Sequence, residues 1–214
     1  MRFILPTALA AVALMAGSAP APAQGLGHRP PKRARSHVSL HVSAHDVLAG
    51  RSLRLRGRVR PRGAHRVKIV VRGAGRASIA VRTHAGGSFS RRWRPRGIGS
   101  YEIRAYGLHD RRVRGSIGPG RRVTAYRTAD ASYYGPGLYG GALACGGTLQ
   151  PGTLGVASLT LPCGARVRLR YRGRSVIVPV VDRGPYVGGR EFDLTAATRA
   201  RLRFPTTGVL LSSR

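Results

Sequence analysis

The chain has 214 residues, with 38 Lys and Arg against 7 Asp and Glu, for a formal net charge of +31. That length allows one large domain or two small ones, each able to bury a core. Arginines number 36 and lysines two, a balance that points to a polyanionic neighbour such as nucleic acid, an anionic membrane or phosphate-bearing wall polymers. The alternative is arginine gathered at exposed positions by coding bias alone.

Taken in order, Arg2 gives a positive start, Phe3 to Met15 is apolar and Ala-rich, and Ala21-Pro22-Ala23 offers a small-x-small cleavage site. Residues 1–23 thus read as a secretory signal peptide removed near Gln24. An uncleaved anchor is the competing reading, but Pro6 and the small residues after Met15 leave the run well short of the ~20 apolar residues of a span. No cysteine lies near position 23, which excludes lipid attachment there, and no later stretch could span a membrane. Export makes nucleic acid an unsuitable partner in vivo and favours anionic wall polymers or a membrane surface.

Residues 24–37 carry four basic residues, no acids and Pro30-Pro31, the composition of a flexible basic linker. From Val38 the texture changes. Leu53, Leu55 and Val59 alternate with Arg54, Arg56, Arg58 and Arg60, giving one apolar and one charged face. Val67, Ile69 and Val71 repeat the period, as do Ile79 with Val81, Phe89 with Trp93, and Tyr101, Ile103 with Ala105. Turn signals such as Pro61-Arg62-Gly63 and Gly86-Gly87 separate these runs. Six or seven short strands at about ten-residue spacing predict an immunoglobulin-like antiparallel β-sandwich over residues 38–128. This segment holds 22 basic residues against Asp46, Glu102 and Asp110, a net +19, and suits binding or spacing rather than catalysis. Six of the seven histidines lie in it or at its edges without ligand spacing, and read as surface residues.

From Thr128 glycine and proline rise, and residues 129–214 read as a second domain. Val167–Tyr171 and Ser175–Val181 are strand-like and joined by a tight turn at Arg172-Gly173-Arg174. One helix is predicted from about Thr195 to Leu202, with Thr195 as its cap, and a last strand from Gly208 to Leu211. Cys145 and Cys163 are expected to form a disulfide outside the cell. Two cysteines with no histidine after His109 cannot complete a zinc site, and no metal or cofactor is expected.

Four of the seven acids fall in this domain: Asp130, Asp182, Glu191 and Asp193. Asp182 ends a β run and enters Arg183-Gly184-Pro185-Tyr186, so its carboxylate is presented at a strand end. Asp193 stands two residues before the helix, whose N-terminus favours a negative charge. By residue type alone each is equally readable as structural, Asp182 in an ion pair with arginine and Asp193 as a cap.

The blocks Ala131-Ser132-Tyr133-Tyr134-Gly135, Gly155 to Pro162, Val181-Asp182-Arg183-Gly184-Pro185-Tyr186 and Phe192-Asp193-Leu194-Thr195 resemble the RlpA-like (rare lipoprotein A-like) family in order and spacing. The cysteine pair is similar to that of a disulfide-bearing branch. The resemblance covers residues ~130–212. It implies a mainly β fold, a six-stranded double-psi β-barrel with a short helix, shared with expansins and membrane-bound lytic transglycosylase A. Active members cleave peptidoglycan between N-acetylmuramic acid and N-acetylglucosamine, leaving a 1,6-anhydro end. By that resemblance Asp182 matches the family's Asp-Arg-Gly-Pro aspartate. Asp193 matches the single catalytic aspartate of the related barrels. Tyr134 and Tyr186 are candidate groove residues, and either could instead pack the core or rim. Where the family's block carries a histidine implicated in catalysis, this chain has Ser158, which cannot act as an acid–base group near neutral pH. The resemblance therefore implies either a transglycosylase working through aspartate alone, or an expansin-like barrel that binds glycan without cutting it.

Overall fold

The computed structural model describes residues 33–111 and 113–214. The leader and all but the end of the basic linker lie outside the described residues. Ala34–Arg35, at the end of that linker segment, forms a short strand β1. There follow β2 (His37–Val42), β3 (Asp46–Leu48), β4 (Leu53–Arg60), β5 (Arg66–Gly73), β6 (Ala77–Arg82), β7 (Ser88–Trp93) and β8 (Gly99–Gly107). Next come β9 (Val113–Arg114), β10 (Ser116–Ile117) and the long β11 (Arg121–Tyr134). The chain closes with β12 (Val156–Ala157), β13 (Arg166–Tyr171), β14 (Arg174–Asp182), β15 (Phe192–Thr195), helix α1 (Ala196–Leu202) and β16 (Gly208–Ser213). Among the described residues no helix is long and apolar enough to cross a membrane.

The first half is two sheets packed face to face. One is β2–β4–β7; the other runs β6–β5–β8–β11, with β10 added to β8 and β3 parallel to β11. The period-2 pattern explains the packing. Leu53, Leu55 and Val59 of β4 are buried and the arginines between them exposed, while Leu40, Ile69 and Ile103 are fully enclosed. Each such side chain contributes about 1.5–3 kcal/mol of burial. Gly57 takes the inward place between Leu55 and Val59, because a Cβ there would lie 2.2 Å from the ring of Phe89. The Tyr101 hydroxyl donates to the Gly97 carbonyl at 2.8 Å and accepts its N–H at 3.2 Å, a corner bond at the start of β8.

One histidine departs from the surface reading. His65 is only 4% exposed, with Nδ1 3.0 Å from Asp110 Oδ2 and Nε2 3.0 Å from the Pro61 carbonyl. It ties the turn after β4 to the loop after β8, a role that scattered spacing in sequence does not reveal.

The second half is a closed barrel. The strand order β15–β12–β14–β13–β16–β11 returns to β15 through a parallel pairing of β11 with β15. The β13–β14 hairpin turns through Arg172 and Gly173, both at positive φ, the two-residue turn whose twist suits antiparallel strands. Val156, Leu169, Val178, Val180, Phe192 and Leu194 fill the interior, closed by Leu202 of α1. Thr195 caps α1 by accepting the Thr198 N–H at 3.3 Å, as the sequence predicts.

β11 belongs to both halves. Its residues 121–125 pair with β8, 127–131 with β16 and 131–134 with β15. Val123, Thr124, Ala125 and Tyr126 are buried in succession, since both faces of the strand are covered there. The composition shift at Thr128 falls inside this continuous strand, and Arg33–Arg214 forms one compact unit.

Candidate functional site

Four barrel strands, β14, β12, β15 and β11, lie side by side, and their register puts four residues in one row. Asp182 is opposite Ala157, Ala157 opposite Asp193, and Asp193 opposite Ser132. Directly paired residues on neighbouring strands point to the same face, so the row spans three strand spacings, about 14 Å. Val156, Val180 and Leu194, adjacent along the same strands, point the other way into the core.

A bulge makes this arrangement possible. Val156 pairs with Val180, but Ala157 pairs with Asp182, so β14 contributes one residue, Val181, in excess. In an unbroken ladder Asp182 would follow Val180 to the core side; the extra residue turns it onto the face shared with Ala157 and Asp193. The two candidate carboxylates, 11 residues apart in sequence, thereby flank a single alanine.

Asp182 is half-buried, and its Oδ1 accepts the N–H groups of Ala144 at 2.9 Å and Arg183 at 2.8 Å. The Ala144 loop is held against β14 by the Cys145 N–H to Val181 carbonyl bond at 3.2 Å and by the Cys145–Cys163 disulfide. Arg183 turns its guanidinium to the carbonyls of Ser158 (2.8 Å) and Leu161 (2.6 Å), with Cys163 Sγ at 3.0 Å. It braces the 158–163 loop instead of neutralising Asp182. The ion pairs among the described residues are His65–Asp110, Arg104–Glu102, Arg127–Glu191 and Arg170–Asp46, so neither Asp182 nor Asp193 is in one. The structural alternative for Asp182, pairing with arginine, is not what the fold does.

Asp193 lies in β15, not at the helix cap, which is Thr195. Its Oδ1 accepts a hydrogen bond from the Ser132 hydroxyl, and Ser132 Oγ in turn accepts from Arg190 Nη1 at 3.2 Å. Tyr134, two residues along β11 from Ser132, is half-buried, and its hydroxyl is enclosed with no partner at close hydrogen-bond geometry. Burial first, then the charge of Asp182 and a longer, weaker hydrogen-bonding contact with that carboxylate, then the charge of Asp193, push the Tyr134 hydroxyl well above the ordinary tyrosine pKa. Tyr134 therefore belongs with both carboxylates and stays neutral between them.

Ser158 and Tyr186 lie at opposite extremes of exposure. Ser158 is fully buried, its hydroxyl accepting the Leu161 N–H at 3.4 Å and its own N–H donating to the Asp182 carbonyl at 3.1 Å. It adjoins Asp182 through the backbone, but its side chain offers nothing to a surface ligand. Tyr186 is 81% exposed on the loop leaving Asp182, with Val187 beside it and Leu159 also exposed. Sequence reasoning missed the partners Ser132 and Arg190 and the Ala144 N–H. Ser132 was visible inside its motif block, but only the β11–β15 register shows what it touches.

Residues 127–211 match a family model described as lytic transglycolase. A probable endolytic peptidoglycan transglycosylase RlpA of Synechocystis is 41% identical over 81 residues, 37% of this chain and 25% of that protein. The endolytic peptidoglycan transglycosylase RlpA of Pseudomonas aeruginosa is 39% identical over 93 residues, 42% of this chain and 27% of its own. A probable counterpart from Aquifex aeolicus is 36% identical over 92 residues, covering 42% and 41%. The chain thus spans a quarter to under half of the length of these relatives. Among solved structures, the Streptomyces papain inhibitor aligns with 42% of this chain and 94% of its own at 26% identity and a TM-score of 0.33. Residues 127–211, which carry the closed six-stranded barrel, the disulfide and the Asp182–Asp193 row, are thus a domain of the RlpA-like, double-psi β-barrel kind.

Proposed function

We propose that this chain is an exported, wall-associated protein whose barrel acts on peptidoglycan glycan strands as a lytic transglycosylase. The observation that carries the reading is the row in which Asp182 and Asp193 flank Ala157, both outside any ion pair, next to the exposed Tyr186 loop. In this reading a glycan strand lies along the row with a sugar ring against Tyr186. Asp193, held through Oδ1 by Ser132 and once it has taken up a proton from solvent on its other oxygen, gives that proton to the glycosidic oxygen as the C1–O bond breaks. The resulting carboxylate then takes the proton of the C6 hydroxyl while O6 closes onto C1. The products are a free 4-hydroxyl and a 1,6-anhydro end; no water is consumed, and Asp193 returns to its starting state. Asp182, fixed by two N–H donors on the far side of Ala157, stabilises the positive charge that develops at C1. Ser158 serves this site only by its backbone bond to Asp182. The sandwich is a binding or spacing module, and the Tyr101 corner bond supports its immunoglobulin-like reading.

A second reading is favoured by Ser158. The position of the family's histidine holds an enclosed serine, and no histidine follows His109. On that reading the barrel grips glycan without cutting it. The test is to incubate the mature chain with denuded glycan strands and analyse products and bound strands by mass spectrometry. Anhydro-ended fragments should form, vanish in Asp193→Asn and fall by about a hundredfold in Asp182→Asn. Retained glycan without new ends would sink the enzyme and leave the binder; neither binding nor cleavage overturns both.

A further inference from the structure

The arginines of this chain are not spread evenly over the sandwich. Arg54, Arg56, Arg58 and Arg60 of β4 all point outward from the middle strand of the three-stranded sheet. At about 6.7 Å per two residues they form a file about 20 Å long. The neighbouring strands add donors at matched positions: Arg92 opposite Arg54, His41 and Ser90 on either side of Arg56, and Ser88 opposite Arg58. None of these four arginines, nor Arg92, has a side-chain hydrogen bond or ion pair among the described residues. The three acids of the sandwich are engaged elsewhere, Asp46 with Arg170, Glu102 with Arg104 and Asp110 with His65. The outer face of the opposite sheet is built differently. There Arg66 stands opposite Arg82 at one end, but Arg72 is opposite Glu102, Lys68 is flanked by Ala80 and Tyr106, and Arg104 is paired within the sheet. Arginine accumulating without a partner does not explain a pure file of unpaired cations on one face and a mixed surface on the other.

We propose that the outer face of β2–β4–β7 binds a single linear polymer that carries a phosphodiester in each repeat, laid along β4. A single chain suits a face only three strands, about 10 Å, across, with one file of charge at its centre. Phosphate suits it because an arginine fork and a donor on the neighbouring strand meet at each level. The two non-bridging oxygens of a phosphodiester diverge tetrahedrally and turn their lone pairs to donors on two strands at once, whereas the oxygens of a carboxylate lie in the plane of one fork. The face carries no exposed large apolar side chain of the kind that anchors a protein in a membrane surface; those that are exposed, Leu48, Ile117 and Tyr186 among them, lie elsewhere. This inference does not depend on what the barrel does.

The test uses the whole mature chain with linear poly(glycerol phosphate), one phosphodiester per repeat, as probe, titrated at several salt concentrations. Arg54→Gln/Arg56→Gln/Arg58→Gln is compared with a control of equal charge on the opposite sheet, Arg66→Gln/Arg72→Gln/Arg82→Gln. Melting temperatures of both are checked against the parent. The file variant should lose about tenfold or more in affinity near 0.1 M salt and flatten the slope of log K against log salt by about 2, at ~0.7 per lost contact. The control should change affinity by less than about twofold, a surface charge acting beyond the screening length. Equal losses in both variants overturn the proposal in favour of diffuse charge. Tighter binding through the same face to anionic vesicles, to duplex DNA or to polyglutamate overturns the choice of a linear phosphate polymer. No glycan is present, so failure of the transglycosylase reading does not register in this assay.

Discussion

Gly155→Ala probes the packing that aims Asp182. Gly155 is buried just before β12, its N–H facing the hydroxyls of Thr195 (3.2 Å) and Thr198 (3.0 Å). A Cβ there would come 2.4 Å from Cγ2 and 2.7 Å from Cγ1 of Val181, against the 3.5–4.0 Å of ordinary carbon contact. Val181 is the bulge residue, so relief of the overlap must move either β12 or the bulge, and with it Asp182. Overpacking of this kind costs about 1–3 kcal/mol, and the stiffer unfolded chain of the alanine variant returns about 0.5. At about 2–4 °C per kcal/mol for a chain of this size, the melting temperature should fall by roughly 1–10 °C. Val181→Ala removes both clashing methyls. The double variant, followed by far-UV circular dichroism in urea, should therefore be more stable than the sum of the single changes by about 1–2 kcal/mol. Additivity within about 0.5 kcal/mol, or a Gly155→Ala protein as stable as the parent, would refute the claim that this contact sets the bulge.

Replacing both cysteines by serine, across a sequence separation of 18, should cost about 3 kcal/mol by releasing the closed loop in the unfolded chain. A urea midpoint unchanged by the substitutions would contradict that. Ser158→His should destabilise by about 1–3 kcal/mol, because the fully buried site has no room for an imidazole and loses the Leu161 N–H acceptor. An unaltered melting temperature would mean that the 158–163 loop opens readily. Tyr134 gives a pH prediction with a definite sign. Its folded-state pKa is raised above the unfolded value of 10.0, so the unfolded chain ionises first and stability present below that pH is lost as pH rises beyond it. Tyr134→Phe should change neutral-pH stability by less than about 1 kcal/mol, since the buried hydroxyl makes no close hydrogen bond, and should flatten the alkaline decline. Urea midpoints at neutral and alkaline pH check both parts; an equally steep decline would show that Tyr134 is not its source. A residual slope from Tyr126, raised mainly by burial, should persist.

Where a strand has one wet face, its residues announce it. Leu53, Leu55 and Val59 set against four arginines could be read as β4 directly, and the β13–β14 hairpin and the Thr195 cap were equally legible. β11 was not, because Val123 to Tyr126 are covered on both faces and the alternation that marks a strand disappears. β12 has only two residues, and nothing local marks it. The site divides along the same line. Rare acids inside a recognisable motif pick out Asp182 and Asp193 as candidates, since that judgement needs only residue types and order. Their standing on either side of Ala157 depends on the pairing of three strands and on one surplus residue in β14, none of which is encoded near either aspartate. Ser158 shows the converse. The substitution is plain from the motif, but its enclosure comes from Arg183 drawing the Ser158 and Leu161 carbonyls together. Arg183 and the disulfide both hold the 158–163 loop, so a larger side chain at position 158 would have to displace that loop to reach a ligand.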